Sequence, residues 1–148
     1  MTEQLNIYKE FWILLADKAA STPGVSFAVP CWRKDHIRLS TSKHGLTLNF
    51  FLANHHALVE LYIDTGDKKI NKSIFEILHR NKQHIEQEFH GCLEWFKNEE
   101  KQNCRIACYI YQGGILDQNK WQEMIPEMID SMIRLGKALR PYIDSLPL

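Results

Sequence analysis

The sequence has no excess of either charge: 18 Lys and Arg stand against 18 Asp and Glu in 148 residues. The balance is also local, with six basic and six acidic residues over 1–66, seven and seven over 67–101, and five and five over 102–148. Proteins that grip phosphates or anionic membranes without sequence preference concentrate Lys and Arg, so this distribution disfavours that class and leaves room only for a small basic patch. No apolar run approaches the ~20 residues that cross a bilayer. The start of the chain does not resemble a signal peptide, because Lys9, Glu10 and Asp17 interrupt its apolar pattern. The four cysteines, Cys31, Cys92, Cys104 and Cys108, lack C-x-x-C spacing. Without an export signal they read as reduced thiols, and the expectation is a cytoplasmic protein with no membrane partner. A Gly-rich phosphate loop, a G-x-S-x-G elbow and an H-E-x-x-H pair are all missing, so no cofactor is expected.

What is present is globular: 45% apolar and 24% charged residues, with no internal repeat and no low-complexity linker. A chain of this size buries ~68–70% of its unfolded surface as one domain, here taken as residues 1–148. Leu5, Tyr8, Trp12, Leu15 and Ala19 recur at helical spacing over 3–20, and Ile7, Phe11 and Leu14 widen that apolar face. Such a wide face is either buried between a sheet and another helix or shared with a second copy in a homodimer.

From Val25 the period changes to two. Strands are expected over 25–31, 36–41, 46–52 and 57–64, with four-residue hairpin loops at Ser42–Gly45 and Ala53–His56. Symmetric closure of each loop pairs Leu39 with Leu48 and Phe50 with Val59. One face then holds Ile37, Leu39, Leu46, Leu48, Phe50, Val59, Leu61 and Ile63, the other His36, Arg38, Ser40, Thr47, Asn49, Phe51, Glu60 and Tyr62. Helical spacing returns over 70–90 through Ile74, Leu78, Ile85 and Phe89, with Gly91 as the stop and a polar run at His79–His84 that can split the element. A hairpin of strands 92–97 and 103–111 follows. A long helix then carries Trp121, Ile125, Met128, Met132, Leu135, Leu139 and Ile143 on one stripe, with Pro126 and Pro141 inside or near it. The fold class is α+β: an antiparallel sheet of about six strands, formed by a four-strand meander, a helix and a hairpin, covered by the first and last helices.

Candidate chemistry is sparse. Cys104 and Cys108 share a strand face but lie ~13 Å apart, too far to hold one zinc. Symmetric closure of the second hairpin sets Cys92 opposite Cys108 and Trp95 opposite Arg105, the latter a cation–π geometry. No metal site is expected. Glu60-Leu61-Tyr62 and Glu94-Trp95-Phe96-Lys97 both miss the acidic-x-Lys spacing of restriction-type nucleases. Lys68, Lys69 and Lys72 cluster near a helix N-terminus, where they either hold an anion or form a solvated run. The non-core face of the sheet is more informative. Arg38, Asn49 and Glu60 form one row across three strands and Ser40, Thr47 and Tyr62 the next, beside Trp95 and Arg105. That face is either solvated or a binding surface for a protein or nucleic-acid partner. The rival reading is an enzyme acting on nucleic acid, with Glu60, Glu94 and His36 as acid–base groups.

Several segments carry a resemblance. They are Tyr8-Lys9-Glu10-Phe11-Trp12, Ala57-Leu58-Val59-Glu60-Leu61-Tyr62-Ile63, Asp67-Lys68-Lys69, Ile85-Glu86-Gln87-Glu88-Phe89, Leu93-Glu94-Trp95, Arg105-Ile106 and Trp121. In this order they resemble a bacterial family of domains of unknown function, number forty-two sixty-eight, across nearly the whole chain. Members often follow a restriction-type nuclease domain. The resemblance therefore implies an accessory module in DNA restriction, repair or defence, and it implies no catalytic residue.

Overall fold

A computed structural model describes residues 2–25, 29 and 32–148, with side chains from Asn6 onward. The expected strand over 25–31 lies mostly outside the described residues; Val25 and Val29 at its edges pack against the core. The order is α1 (Thr2–Ala20), β1 (His36–Ser40), β2 (Leu46–Leu52), β3 (Ala57–Ile63), α2 (Lys68–Arg80), α3 (Lys82–Phe89), β4 (Glu94–Phe96), β5 (Cys104–Ile110), a 3-10 turn (Gln118–Lys120) and α4 (Trp121–Asp144). Among the described residues, five strands make one antiparallel sheet in the order β1-β2-β3-β5-β4. No described helix is long and apolar enough to cross a membrane.

The pairing of the first three strands follows from which side chains must leave water. Leu39 opposes Leu48, Phe50 opposes Val59 and Leu48 opposes Leu61, so Leu46, Leu48, Phe50 and Leu52 of β2 point the same way as their partners. A slip of one residue would expose the whole set. Gly45 closes the β1–β2 hairpin at a positive φ of 86°, and a Cβ there would sit 2.7 Å from the Thr65 backbone, so only glycine fits.

All four helices cover the aliphatic face. α4 crosses β2, β3 and β5 and presents Met124, Met128, Met132, Leu135 and Leu139 to them, all essentially inaccessible. α1 lies against α4, with the Phe11 and Trp121 rings edge to face at 5.2 Å. Trp12 is fully buried, and its indole N–H donates to the Lys34 carbonyl at 3.1 Å, tying α1 to the entry of β1. The second stripe of α1 divides: Phe11 is buried and Ile7 half-buried, but Leu14 is 48% exposed, as is its neighbour Ile13 at 41%.

The polar run His79–His84 does split the helical segment. Asn81 separates α2 from α3, its amide N–H bonding Leu78 and its side chain the Ile77 carbonyl. α3 ends at His90, which itself takes the left-handed conformation expected of Gly91 (φ 62°, ψ 44°), while the Gly91 N–H closes on the Glu86 carbonyl.

Leu61 lies at the centre of this layer with no exposure. Leu61→Ala is expected to cost ~2–5 kcal/mol, because the β-sheet and α4 cannot collapse into the vacated volume. Urea unfolding followed by circular dichroism measures it, and a loss under ~1 kcal/mol would place Leu61 outside the core.

Candidate functional site: the open face of the sheet

Since the described helices all pack on one side, no described helix covers the opposite side of the sheet. β5 and β4 extend the expected rows to five strands. One row is Arg38, Asn49, Glu60, Ala107 and Glu94; the next is Ser40, Thr47, Tyr62, Arg105 and Phe96. A third runs His36, Phe51, Leu58 and Tyr109. Leu58 and Ala107 are buried, yet neither belongs to the main core cluster. Their neighbours on the open face bury them.

Glu60 anchors the centre. It is 6% exposed, and the Arg105 Nε–H donates to its Oε1 at 2.6 Å. Asn49 donates from Nδ2 to the other carboxylate oxygen at 3.4 Å. Burial of Glu60 is tolerable because this charge-assisted pair replaces its water. The Arg38 guanidinium lies over the Tyr62 ring at 6.0 Å and that of Arg105 over Phe96 at 6.0 Å. Two acceptors remain: Asn49 Oδ1 and Thr47 Oγ1 are buried and have no hydrogen-bond partner among the described residues. The two terminal amino groups of Arg105 also have none among them.

Trp95 is not part of this surface. The β4–β5 pairing is one residue away from symmetric closure, so Trp95 opposes Ile106 and Phe96 opposes Arg105. Asn98 at φ 54° and the Lys101 N–H to Asn98 carbonyl bond (2.8 Å) tighten the loop by one residue. The single-residue change turns β4 over. Trp95 therefore faces the helices, where its indole donates to Glu86 at 3.2 Å and its ring meets His79 and Phe75 edge to face. Burial raises the Glu86 pKa, but the Leu93 N–H, Lys82 and Trp95 together pull it below the usual carboxylate range. Phe96 and Tyr109 are the residues of the open face that sequence reasoning missed. Asn98 was the available signal, since Asn favours the left-handed conformation that shortens such a loop.

Other expected groupings come apart. Lys68 and Lys69 are exposed, but Lys72 turns inward and donates to the carbonyls of Lys97 (2.5 Å), Asn98 (2.7 Å) and Asn103 (3.0 Å). Asp67 caps the α2 N-terminus, accepting from the Ile70 N–H at 3.1 Å. Glu60 and Glu94 share a row with β5 between them, ~10 Å apart, and His36 is bonded to Asp35 at 2.8 Å. With Glu94 opposite Ala107, Cys92 does not face Cys108; it is exposed outside β4, and Cys108 sits opposite Val59 on the helix side. No group of three or more His, Cys, Asp or Glu among the described residues is placed to share a metal ion. A groove of about 410 Å³ lies away from the sheet, lined by Leu14, Lys18, Trp121, Gln122, Ile125 and Pro126 between α1 and α4.

Fold and face define a class: an α+β domain with its helices on one side of an antiparallel sheet and a mixed charged and aromatic surface on the other. Within that class the chain belongs to the family described as a domain of unknown function (DUF4268), whose model matches residues 7–143. No curated protein and no solved structure matches it.

Lys72→Met should destabilise the fold by ~1–3 kcal/mol, because three carbonyls lose their donor. Inorganic phosphate should leave the wild-type thermal midpoint unchanged; a phosphate-dependent rise lost in Lys72→Met would restore the anion site. The thiols give a second check. Burial raises the pKa of both Cys104 and Cys108. In a Cys31→Ser background, one thiol (Cys92) should react quickly with a thiol reagent and the other two only on unfolding.

Proposed function

We propose that the domain is a non-enzymatic binding module whose working surface is the open face of the sheet, centred on Arg38, Asn49, Glu60, Tyr62 and Arg105. The accessible part of the face carries this reading. Arg38 and Glu94 are exposed and Phe51, Tyr62, Phe96, Arg105 and Tyr109 half-buried, on a side of the sheet that no described helix covers. Aromatic and guanidinium groups left in water on rigid strands are the kind of surface that a partner desolvates.

The composition of the face supports a protein partner over a phosphate backbone. Arg, Tyr and Phe side chains, the types enriched in protein interfaces, are grouped there. Arg105, the cation beside the centre of the face, is already paired with Glu60. A carboxylate tied to a guanidinium on an open sheet is also poorly disposed to act as an acid or base, which needs a cleft. An accessory role in restriction, repair or defence, in the cytoplasm, is the biological setting that the sequence resemblance suggests for such a surface.

Affinity capture with quantitative mass spectrometry tests the reading, comparing wild type, Arg38→Ala/Tyr62→Ala and the groove control Leu14→Arg. Partners should fall about tenfold or more with the sheet variant and stay with the groove variant, at an unchanged thermal midpoint. Loss confined to Leu14→Arg would move the site to the α1–α4 groove and end this proposal.

A further inference from the structure

One end of the open face is a cluster of rings. Tyr109, near the end of β5, and Tyr111, two residues on, project from the same side of the chain. Their rings lie almost parallel, with 11° between the planes and 5.8 Å between centroids. His56, the last residue of the β2–β3 turn, meets both, at 5.7 Å from Tyr109 and 6.3 Å from Tyr111. Water reaches all three. Tyr111 is 74% exposed, and Tyr109 and His56 are half-buried.

A carboxylate stands beside the rings. Glu94 on β4 opposes Ala107, which is two residues from Tyr109 on the same face of β5. That makes Glu94 and Tyr109 diagonal neighbours, ~7–8 Å apart at the backbone and within reach of long side chains. The charge is felt at the next ring as well: loss of water around the hydroxyl, then the fields of Glu94 and Tyr109, raise the Tyr111 pKa. Glu94 is exposed and has no ion-pair partner among the described residues. Of the arginines on this face, Arg105 is held by Glu60, and Arg38 lies four strand spacings away from Glu94, ~19 Å. An uncompensated carboxylate therefore sits next to ring faces that are themselves electron-rich.

From this geometry we infer that the corner is a cation subsite, in which an arginine side chain of a partner protein lies flat on the Tyr109 and Tyr111 rings with Glu94 as its counter-ion. The inference rests on the binding-surface reading above and names the chemistry of one contact within it. A guanidinium suits the corner because it is planar, weakly hydrated and stacks on aromatic faces while its edge N–H groups stay free to donate to a carboxylate. A lysine ammonium holds its water more tightly and cannot stack. An anionic group is repelled by Glu94, and a neutral apolar one would strip water from that carboxylate without pairing it. Every group the contact uses is already accessible in the single chain, so docking requires no opening of the fold.

The test uses a minimal probe and then the partner. L-argininamide, titrated at pH 8 into the chain with isotope-labelled rings, should shift the NMR signals of Tyr109, Tyr111 and His56 with a Kd on the order of millimolar. Citrullinamide, of the same length but uncharged, should bind about threefold more weakly or worse. Glu94→Gln and Tyr111→Ala should each weaken argininamide about threefold or more, while Tyr111→Phe, which keeps the ring, should stay within about twofold of wild type. Both positions are exposed, so level thermal midpoints serve as the folding control. In affinity capture, the partners released by Arg38→Ala/Tyr62→Ala should also fall about tenfold with Glu94→Gln/Tyr111→Ala. The absence of ring shifts, equal binding of citrullinamide, or argininamide binding indifferent to Glu94→Gln each overturn the inference. Partners that leave with Arg38→Ala/Tyr62→Ala but stay with Glu94→Gln/Tyr111→Ala overturn it too, and leave the binding surface standing.

Discussion

Burial of the aliphatic face of the sheet beneath α4 is the constraint from which the remaining features follow. Strand side chains alternate, so committing Leu48, Phe50, Val59 and Leu61 to the helices commits Asn49, Phe51, Leu58, Glu60 and Tyr62 to the opposite side. No described helix is left to cover that side, because α1, α2 and α3 all pack with α4 on the same apolar layer. A polar, aromatic open face is therefore a consequence of how the core is made. Its central charge is tolerated only because β5 arrives beside β3 and brings Arg105 to Glu60.

The chain around the sheet shows how the layer is held at its margins. Lys72 reaches from α2 to three carbonyls of the β4–β5 hairpin, and fully buried Asn71 accepts from Thr65 and donates to Asp64 and the Gln102 carbonyl. Arg134 on α4 donates to the Phe89 carbonyl at the end of α3, with its guanidinium 4.4 Å from the Phe89 ring centroid. At the other end, a Cβ on Gly114 would lie 2.3 Å from the Ala53 carbonyl oxygen. This close approach lets the Ile115 N–H bond Ala53 and the Leu116 N–H bond Asn54, docking the start of α4 on the β2–β3 turn.

A surface of this kind suits recognition better than chemistry. Its charged and aromatic side chains are fixed on rigid strands, so a complementary surface meets little reorganisation on binding.

The sequence by itself determined the elements whose hydrophobic period is long and continuous. The α4 stripe from Trp121 to Ile143 is buried as its spacing predicts, and the two four-residue loops place Arg38, Asn49 and Glu60 in one row. Loop length and alternation are local quantities, and a wrong register there would expose a whole face. β4 lacked that protection. With three residues, and with Trp95 and Phe96 both large and apolar, either face could have been inward. The choice fell to contacts distant in sequence: His79, Phe75 and Glu86 on the helices receive Trp95, which leaves Phe96 to Arg105. Lys72 tells the same story, since a lysine near a helix start looks free until the β4–β5 hairpin folds over it. The joining of β5 to β3, which sets Arg105 on Glu60 and leaves Asn49 and Thr47 unmet, likewise had no sequence-local signature. Non-adjacent strands pair according to which surfaces remain after the local elements have formed, and only the assembled core settles that.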